Sequence, residues 1–382
     1  MARESDRSTD AGASGPRSDR AHRIVISVDA MGGDQGPAAV VAGLAMSAPR
    51  MPNADFILHG DEVELARLLS RQTGLTGRVL VRSAPRVVTM ADKPAQVMRH
   101  GAGTSMWSAI DSLRGGEAQV AVSCGNTGAL MAVAMIRLRK LPGVGRPAIA
   151  VLWPSRNPGG FNLMLDGGAD IKADAEDLLQ YAMMGASYAR NGMGVTRPRV
   201  GLLNVGTEDH KGSAELKQAF ERIAGAAGVG DYEFVGYVEG VDLPSRRVDV
   251  IVTDGFTGNV ALKTAEGTAR LIGDFLREAF QATFLSKVSG LLAGAALGRL
   301  RHRMDPRRSN GGVFLGLNGI VVKSHGSADA TGVASALDMA YQLARTDFVS
   351  RLAARVASVP ASGQGVAATG AEPVRTEAGQ PE

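Results

Sequence analysis

The stretch from Val248 to Thr264 reads VDVIVTDGFTGNVALKT. Val248, Val250, Ile251 and Val252 form a short β-branched run, the composition of a strand buried on both faces. Asp254-Gly255 is a turn signal that stops it. Phe256-Thr257-Gly258-Asn259 follows, and helical spacing starts at Val260-Ala261-Leu262. A polar, Gly-rich turn between a buried strand and a helix aims free backbone N–H groups and the positive end of the helix dipole at one spot. Such spots hold anions.

The same device recurs upstream. Arg23–Asp29, RIVISVD, is a buried strand ended by Asp29-Ala30-Met31-Gly32-Gly33-Asp34. Ala118–Val122 is ended by Ser123-Cys124-Gly125-Asn126-Thr127-Gly128, and Arg199–Leu203 by Asn204-Val205-Gly206-Thr207-Glu208. Further strands are expected at Asp55–His59, Arg78–Val81, Ala148–Trp153, Gly160–Leu165 and Ile320–Lys323. Helices fall between them. Asp61-Glu62 open one through Leu69, Pro37 suits a first helical turn, and Asp174 has the look of an N-cap with Glu176 and Asp177 behind it. Ser327–Val356 is mostly helical in pattern. This alternation predicts an α/β fold, a mostly parallel sheet with helices on both faces. Residues 1–21 are polar and expected to be a disordered arm, 22–357 the folded domain, and the Ala/Gly/Glu-rich 358–382 a disordered tail.

Composition narrows the function. The chain has 382 residues, 45% apolar and 21% charged, which suits a large globular unit. Aromatics are 4% and the net charge is +4, so no stacking platform or nucleic-acid partner is expected. The single Cys124 precludes a disulfide framework or a Cys-based zinc site and fits a reducing cytoplasm. No paired-His metal spacing, dinucleotide fingerprint or Walker motif occurs, and no metal or cofactor is expected. The N-terminus lacks an apolar signal core, and no apolar run is long enough to span a bilayer.

The turns offer Asp29, Gly32, Gly33, Asn126, Thr127, Asn204, Gly206, Thr207, Thr257 and Asn259 at strand ends, mostly small neutral donors with exposed backbone N–H groups, suited to holding an anion without a metal. Any one of these turns by itself is equally a helix cap that binds nothing. Cys124 precedes a helix start that lowers a thiol's pKa, but a small buried packing residue is the plainer reading. His325, in Lys323-Ser324-His325-Gly326-Ser327, sits between a strand and a helix; it either orients a phosphate or protonates a leaving thiolate, or is a structural histidine. Leu285–Arg308 breaks the alternation, joining Leu291, Leu292 and neighbours to Arg299, Arg301, Arg303, Arg307 and Arg308. A basic amphipathic hairpin of this kind serves a membrane surface, a subunit contact, or both.

Together these residues resemble the phosphate acyltransferases of the PlsX type. The resemblance rests on VDAMGGD (Val28–Asp34), SCGNTGALMA (Ser123–Ala132), RPA (Arg146–Ala148), LDGGAD (Leu165–Asp170), YAMMG (Tyr181–Gly185), PRVGLLNVGTED (Pro198–Asp209), IVTDGFTGN (Ile251–Asn259) and KSHGSADA (Lys323–Ala330). It implies a fold similar to the isocitrate and isopropylmalate dehydrogenases and phosphotransacetylase, and a homodimer. It also implies reversible conversion of acyl carrier protein thioesters and inorganic phosphate to acyl phosphate. The product would feed a membrane-bound glycerol-3-phosphate acyltransferase of phospholipid synthesis, from a cytoplasmic enzyme peripherally attached to the membrane. The expected chemistry is direct attack of phosphate on the thioester. The turn residues would hold phosphate; His325, Lys323 and Asn259 would serve catalysis. Lys211 and nearby arginines would steer the carrier protein, with the Leu291 hairpin near the membrane. The rival expectations are an NAD(P)-dependent dehydrogenase of similar fold and a non-catalytic phosphate- or lipid-binding scaffold.

Overall fold

The computed structural model of the protein describes residues 23–208, 210–298 and 311–357. The proposed arm 1–21, the tail 358–382, and Arg299, Arg301 and Arg303 of the hairpin therefore lie outside the described residues.

The strands are β1 (Ile24–Asp29), β2 (Ala54–Gly60), β3 (Val79–Ser83), β4 (Val120–Ser123), β5 (Ala148–Pro154), β6 (Phe161–Leu165), β7 (Arg199–Leu203), β8 (Glu233–Val238), β9 (Val250–Val252), β10 (Gly312–Leu315) and β11 (Ile320–Lys323). They form one sheet in the order β3-β2-β1-β4-β11-β10-β5-β6-β9-β7-β8. Both flanks are parallel. At the centre the chain reverses three times, where β11 meets β10, β10 meets β5, and β5 meets β6. An odd number of reversals makes the two parallel flanks run in opposite directions.

Register turns this into a site. One row of paired residues crosses the sheet as Asp29, Ser123, Lys323, Gly312, Val151, Met164 and Ile251. β1, β4 and β11 end on that row, and β6 and β9 end one residue past it, coming from the other side. The loops that leave the two flanks are thus turned toward each other across β5 and β10. A wholly parallel sheet would have put them all along one edge.

Local signals behave as expected where they are local. Asp61 caps α2 (Glu62–Leu69) by accepting the Glu64 N–H. Pro37 stands in the first turn of α1 (Gly36–Ser47). Asp174 accepts the N–H groups of Glu176 and Asp177 in a reciprocal capping box that starts α6 (Ala175–Met193). The strand GVFL, the strand EFVGYV and α7 (Ala214–Gly230) are elements that hydrophobic spacing left unassigned.

Two helix starts differ from expectation. α5 (Thr127–Leu138) and α8 (Gly255–Gln281) begin at the polar turns themselves rather than after them. The reason is capping. The Asn126 side chain accepts the Ala129 N–H, and the Asp254 carboxylate accepts the Thr257 N–H at 2.8 Å. Gly258 makes the second start possible, since a Cβ there would lie 2.0 Å from the Asp166 carbonyl oxygen. Phe256–Asn259 is thus the first turn of a helix pressed against the loop that follows β6.

The core has two apolar layers, one on each face of the sheet. α6 lies in the first, with Tyr181, Ala182, Met183, Met184 and Ala186 all buried. α8 is different: only Gly255 and Gly258 are fully buried along its length. Its distal half and α9 (Phe284–Leu292) leave Leu271, Ile272, Phe275, Phe284, Leu285, Leu291 and Leu292 exposed.

Candidate active site

The opposed loops enclose a cleft of about 460 Å³ over the central strands. One flank contributes Asp34, Met90, Thr127 and Lys323–Ser327; the other contributes Gly167, Gly168, Asn259, Lys263 and Glu266. The floor and remaining wall are apolar, built from Ile149, Val151, Leu152 and Trp153 of β5 with Leu262, Ala265 and Ala269 of α8.

Lys323 ends β11 with its side chain buried, and its Nζ donates to the carbonyls of Cys124, at 3.2 Å, and Ser324. Desolvation pushes its pKa down to about 8, although the nearby Cys124, Asp29 and Asp34 pull the other way. The adjacent Ser324 is fully buried, with its hydroxyl beside the Cys124 thiol. His325 follows, partly exposed, with Nε2 3.3 Å from Oε1 of Glu266.

Across the cleft, the Asp166 carboxylate organises the loop after β6. It accepts the N–H groups of Ile149, Gly168, Ala169 and Asp170, and burial lifts its pKa to about 6. Asp170 in turn accepts the Gly255 N–H at 2.9 Å and the Tyr181 hydroxyl at 2.5 Å, tying the loop to the start of α8. Gly168 has φ +123°, and a Cβ there would stand 2.7 Å from Nδ2 of Asn259. Only glycine lets the loop and Asn259 meet. The Asn259 amide is barely committed, its Nδ2 lying 3.5 Å from the Gly167 carbonyl.

Of the expected residues, Thr127, Asn259, Lys323 and His325 therefore meet in one cleft. The others have different positions. Asp29 is buried beneath it, accepting the Ser123 hydroxyl at 2.7 Å and the Gly32 N–H at 3.2 Å, with its pKa raised by desolvation. Gly32 and Gly33 pack against the Cys124–Gly125 backbone and Gly326, where a Cβ would collide. The Asn126 side chain is spent on α5 and on the carbonyls of Met90 and Asp92. Thr257 gives both its N–H and its hydroxyl to Asp254. The third turn contributes no lining residue: Asn204 accepts the Val205 N–H and donates to the Lys211 carbonyl, which closes its own loop. Gly206, Thr207 and Lys211 share that loop, Lys211 pairing with Glu208 at 3.8 Å.

Gly167, Gly168, Lys263 and Glu266 also line the cleft, beyond the residues expected to hold phosphate. For the two on α8 a signal existed, since they follow Asn259 by four and seven residues on one helix face.

Cys124 is 4% exposed, and burial lifts its thiol to about 11, overriding any effect of the helix start. The plainer reading of this residue holds. Native protein is expected to resist iodoacetamide at pH 7.5, and Cys124→Ala to keep wild-type turnover. Rapid stoichiometric alkylation would contradict this placement.

A cleft with polar residues from both flanks and an apolar wall thus lies over the reversed centre of the α/β sheet. Solved structures of similar fold include a phosphotransacetylase from Streptococcus pyogenes (TM-score 0.56, 16% identity, covering 85% of this chain and 94% of that one). A second, from Staphylococcus aureus, has TM-score 0.55 at 13% identity, covering 84% and 94%. Residues 24–351 match the family described as fatty acid synthesis protein. A phosphate acyltransferase of Cereibacter sphaeroides is 70% identical over 357 residues, covering 94% of this chain and 96% of its own. One from Paracoccus denitrificans is 68% identical over 342 residues, covering 89% and 92%. The chain belongs to this family, the PlsX-type phosphate acyltransferases, and is an acyl-transferring enzyme. The dehydrogenase and scaffold alternatives are not favoured.

Proposed function

We propose that the cleft forms acyl phosphate from inorganic phosphate and an acyl carrier protein thioester. The observation that carries this reading is the juxtaposition in one cleft of Thr127, Asn259 and Lys323–Ser324–His325 with the apolar wall of β5 and α8. Phosphate would lie among the donors and the acyl chain along the wall. A phosphate oxygen adds to the thioester carbonyl carbon, the new C–O bond forms, and the C–S bond breaks with its electron pair on sulfur. Phosphate is already an anionic nucleophile at neutral pH, so positioning and charge stabilisation matter more than a base. Asn259, whose amide is barely committed, would stabilise oxygen charge. Lys323 supplies a buried cation, and protonated His325 supplies the proton that leaves with the thiol. Asp34 and Glu266 add negative charge to the lining, but Glu266 faces Lys263 and His325, which offsets its repulsion of phosphate.

Incubating the protein with acyl carrier protein thioester and phosphate, then trapping the product with hydroxylamine, tests the reading. A phosphate-dependent acyl hydroxamate is expected. Phosphate binding without consumption of thioester would leave a binding protein instead.

The same proposal includes the surroundings of the site. Among the described residues no helix is long and apolar enough to cross a membrane. Along α8 and α9, Leu271, Ile272, Phe275, Phe284, Leu285, Leu291 and Leu292 are exposed, and grouped exposed apolar side chains mark an interaction surface. We assign its α8 flank, Leu271, Ile272 and Phe275, to a homodimer contact, and its tip, Leu291 and Leu292, to a membrane surface near the acyltransferase that takes the product. The loop carrying Lys211 would steer the acidic carrier. Replacing Leu291 and Leu292 by Ser is expected to weaken sedimentation with anionic vesicles at least about tenfold, because each leucine's burial is worth roughly 1.5–3 kcal/mol. Soluble turnover should persist. Unaltered vesicle binding would remove the tip from the membrane.

A further inference from the structure

The cleft-facing residues of α8 recur at Asn259, Leu262, Lys263 and Glu266, the i, i+3, i+4, i+7 spacing of one helix face. Glu266 is the carboxylate of this set, and its side chain is only 10% exposed. Its Oε1 lies 3.3 Å from His325 Nε2, and its Oε2 lies 3.0 Å from Lys263 Nζ and 3.6 Å from the Arg270 guanidinium. Those two cations are 53% and 72% exposed, so water can serve them without Glu266. His325 is the group for which the placement has consequences.

We propose that Glu266 is a positioning residue for acyl transfer, its carboxylate fixing the His325 ring across the cleft and favouring the protonated imidazole that the reaction uses. Burial first, and then the charges of Lys263, Lys323 and Arg270, hold the His325 pKa below its ordinary value, and Glu266 pulls it back toward the protonated form. The position fits the task. Glu266 comes from α8 and His325 from the loop after β11, so the contact joins the two flanks at the reacting point. The inference rests on His325 supplying the proton to the leaving thiolate, as proposed above.

The test is Glu266→Gln in the full chain, which keeps shape and removes charge. Protein labelled with ¹⁵N-histidine is titrated by NMR, and the His325 signal is assigned by its loss in His325→Gln. The His325 pKa is expected to fall by about one unit in Glu266→Gln. kcat should fall about tenfold, with its decline toward alkaline pH starting correspondingly earlier. Lys263→Met, at an exposed position that leaves folding intact, should move the same pKa upward by removing an opposing charge. An unmoved His325 pKa in Glu266→Gln overturns the inference whatever the activity, and if that variant fails to fold, an unmoved value in Glu266→Asp, which draws the carboxylate back by one methylene, does so. A shifted pKa with unchanged kcat and pH profile overturns its catalytic half. Full activity of His325→Gln instead sinks the underlying role of His325, while the titration still decides the pairing.

Discussion

In Lys323→Met, acyl phosphate formation is expected to fall about a hundredfold or more while the protein keeps its fold. Buried among carbonyls at the end of β11, Lys323 is the cation whose field at the cleft is least screened by water. Its value of about 8 also sets a limit on the wild type: as pH rises through that value the cation is lost, so the rate should decline there. The variant should lack this particular limb in its residual activity.

Stability moves by a different balance. Holding Lys323 at about 8 against an ordinary value of 10.5 costs the folded state roughly 3 kcal/mol below pH 8. Losing the donor to the carbonyls of Cys124 and Ser324 costs the variant roughly 1–3 kcal/mol. The two nearly cancel at pH 7. Between about 8 and 10.5 the unfolded chain holds more protons than the folded one, so wild-type stability rises with pH across that window and the methionine variant falls behind. Thermal melts at pH 6.5 and 10 read this directly. A variant melting far below wild type at pH 6.5 would make Lys323 a structural pin, and an intact variant with full turnover would remove it from the chemistry.

Asn259→Ala is the second large effect expected, with kcat reduced roughly a hundredfold and stability changed by less than about 1 kcal/mol. The side chain stands at the first turn of α8 with one long contact, to Gly167, so little folding energy depends on it. Asn204→Ala is the informative contrast. Asn204 is buried and holds its own loop closed through Val205 and Lys211, so its loss should disorder that loop and lower the melting temperature. Its effect on kcat should be smaller. If Asn204→Ala cripples turnover at unchanged stability while Asn259→Ala is active, phosphate lies against the third turn and not in the cleft described.

Most of what is local in this protein can be read from its residues. The β-branched runs at Ile24–Asp29, Arg199–Leu203 and Ile320–Lys323 are strands, and Asp61 and Asp174 are caps, because burial on both faces and capping depend on near neighbours in sequence. The motifs around Asn259 and Lys323–His325 also pointed to the cleft. Side-chain commitment did not show: nothing local says that Asn126 and Thr257 spend their donors on caps while the Asn259 amide stays nearly uncommitted. Glu266 was hidden for a related reason. In the interior of an amphipathic helix an acid resembles any solvated acid until the opposing loop is known.

The sequence by itself determined the alternation of strand and helix, the polar turns at the strand ends and the family to which the chain belongs. The tertiary structure alone decided which turns share a space. That outcome depends on GVFL at β10 and its partners β5 and β11, whose antiparallel pairing turns one flank of strand ends back toward the other. Pairing direction is a property of which strand lies alongside, and a short apolar run carries no mark of its neighbour.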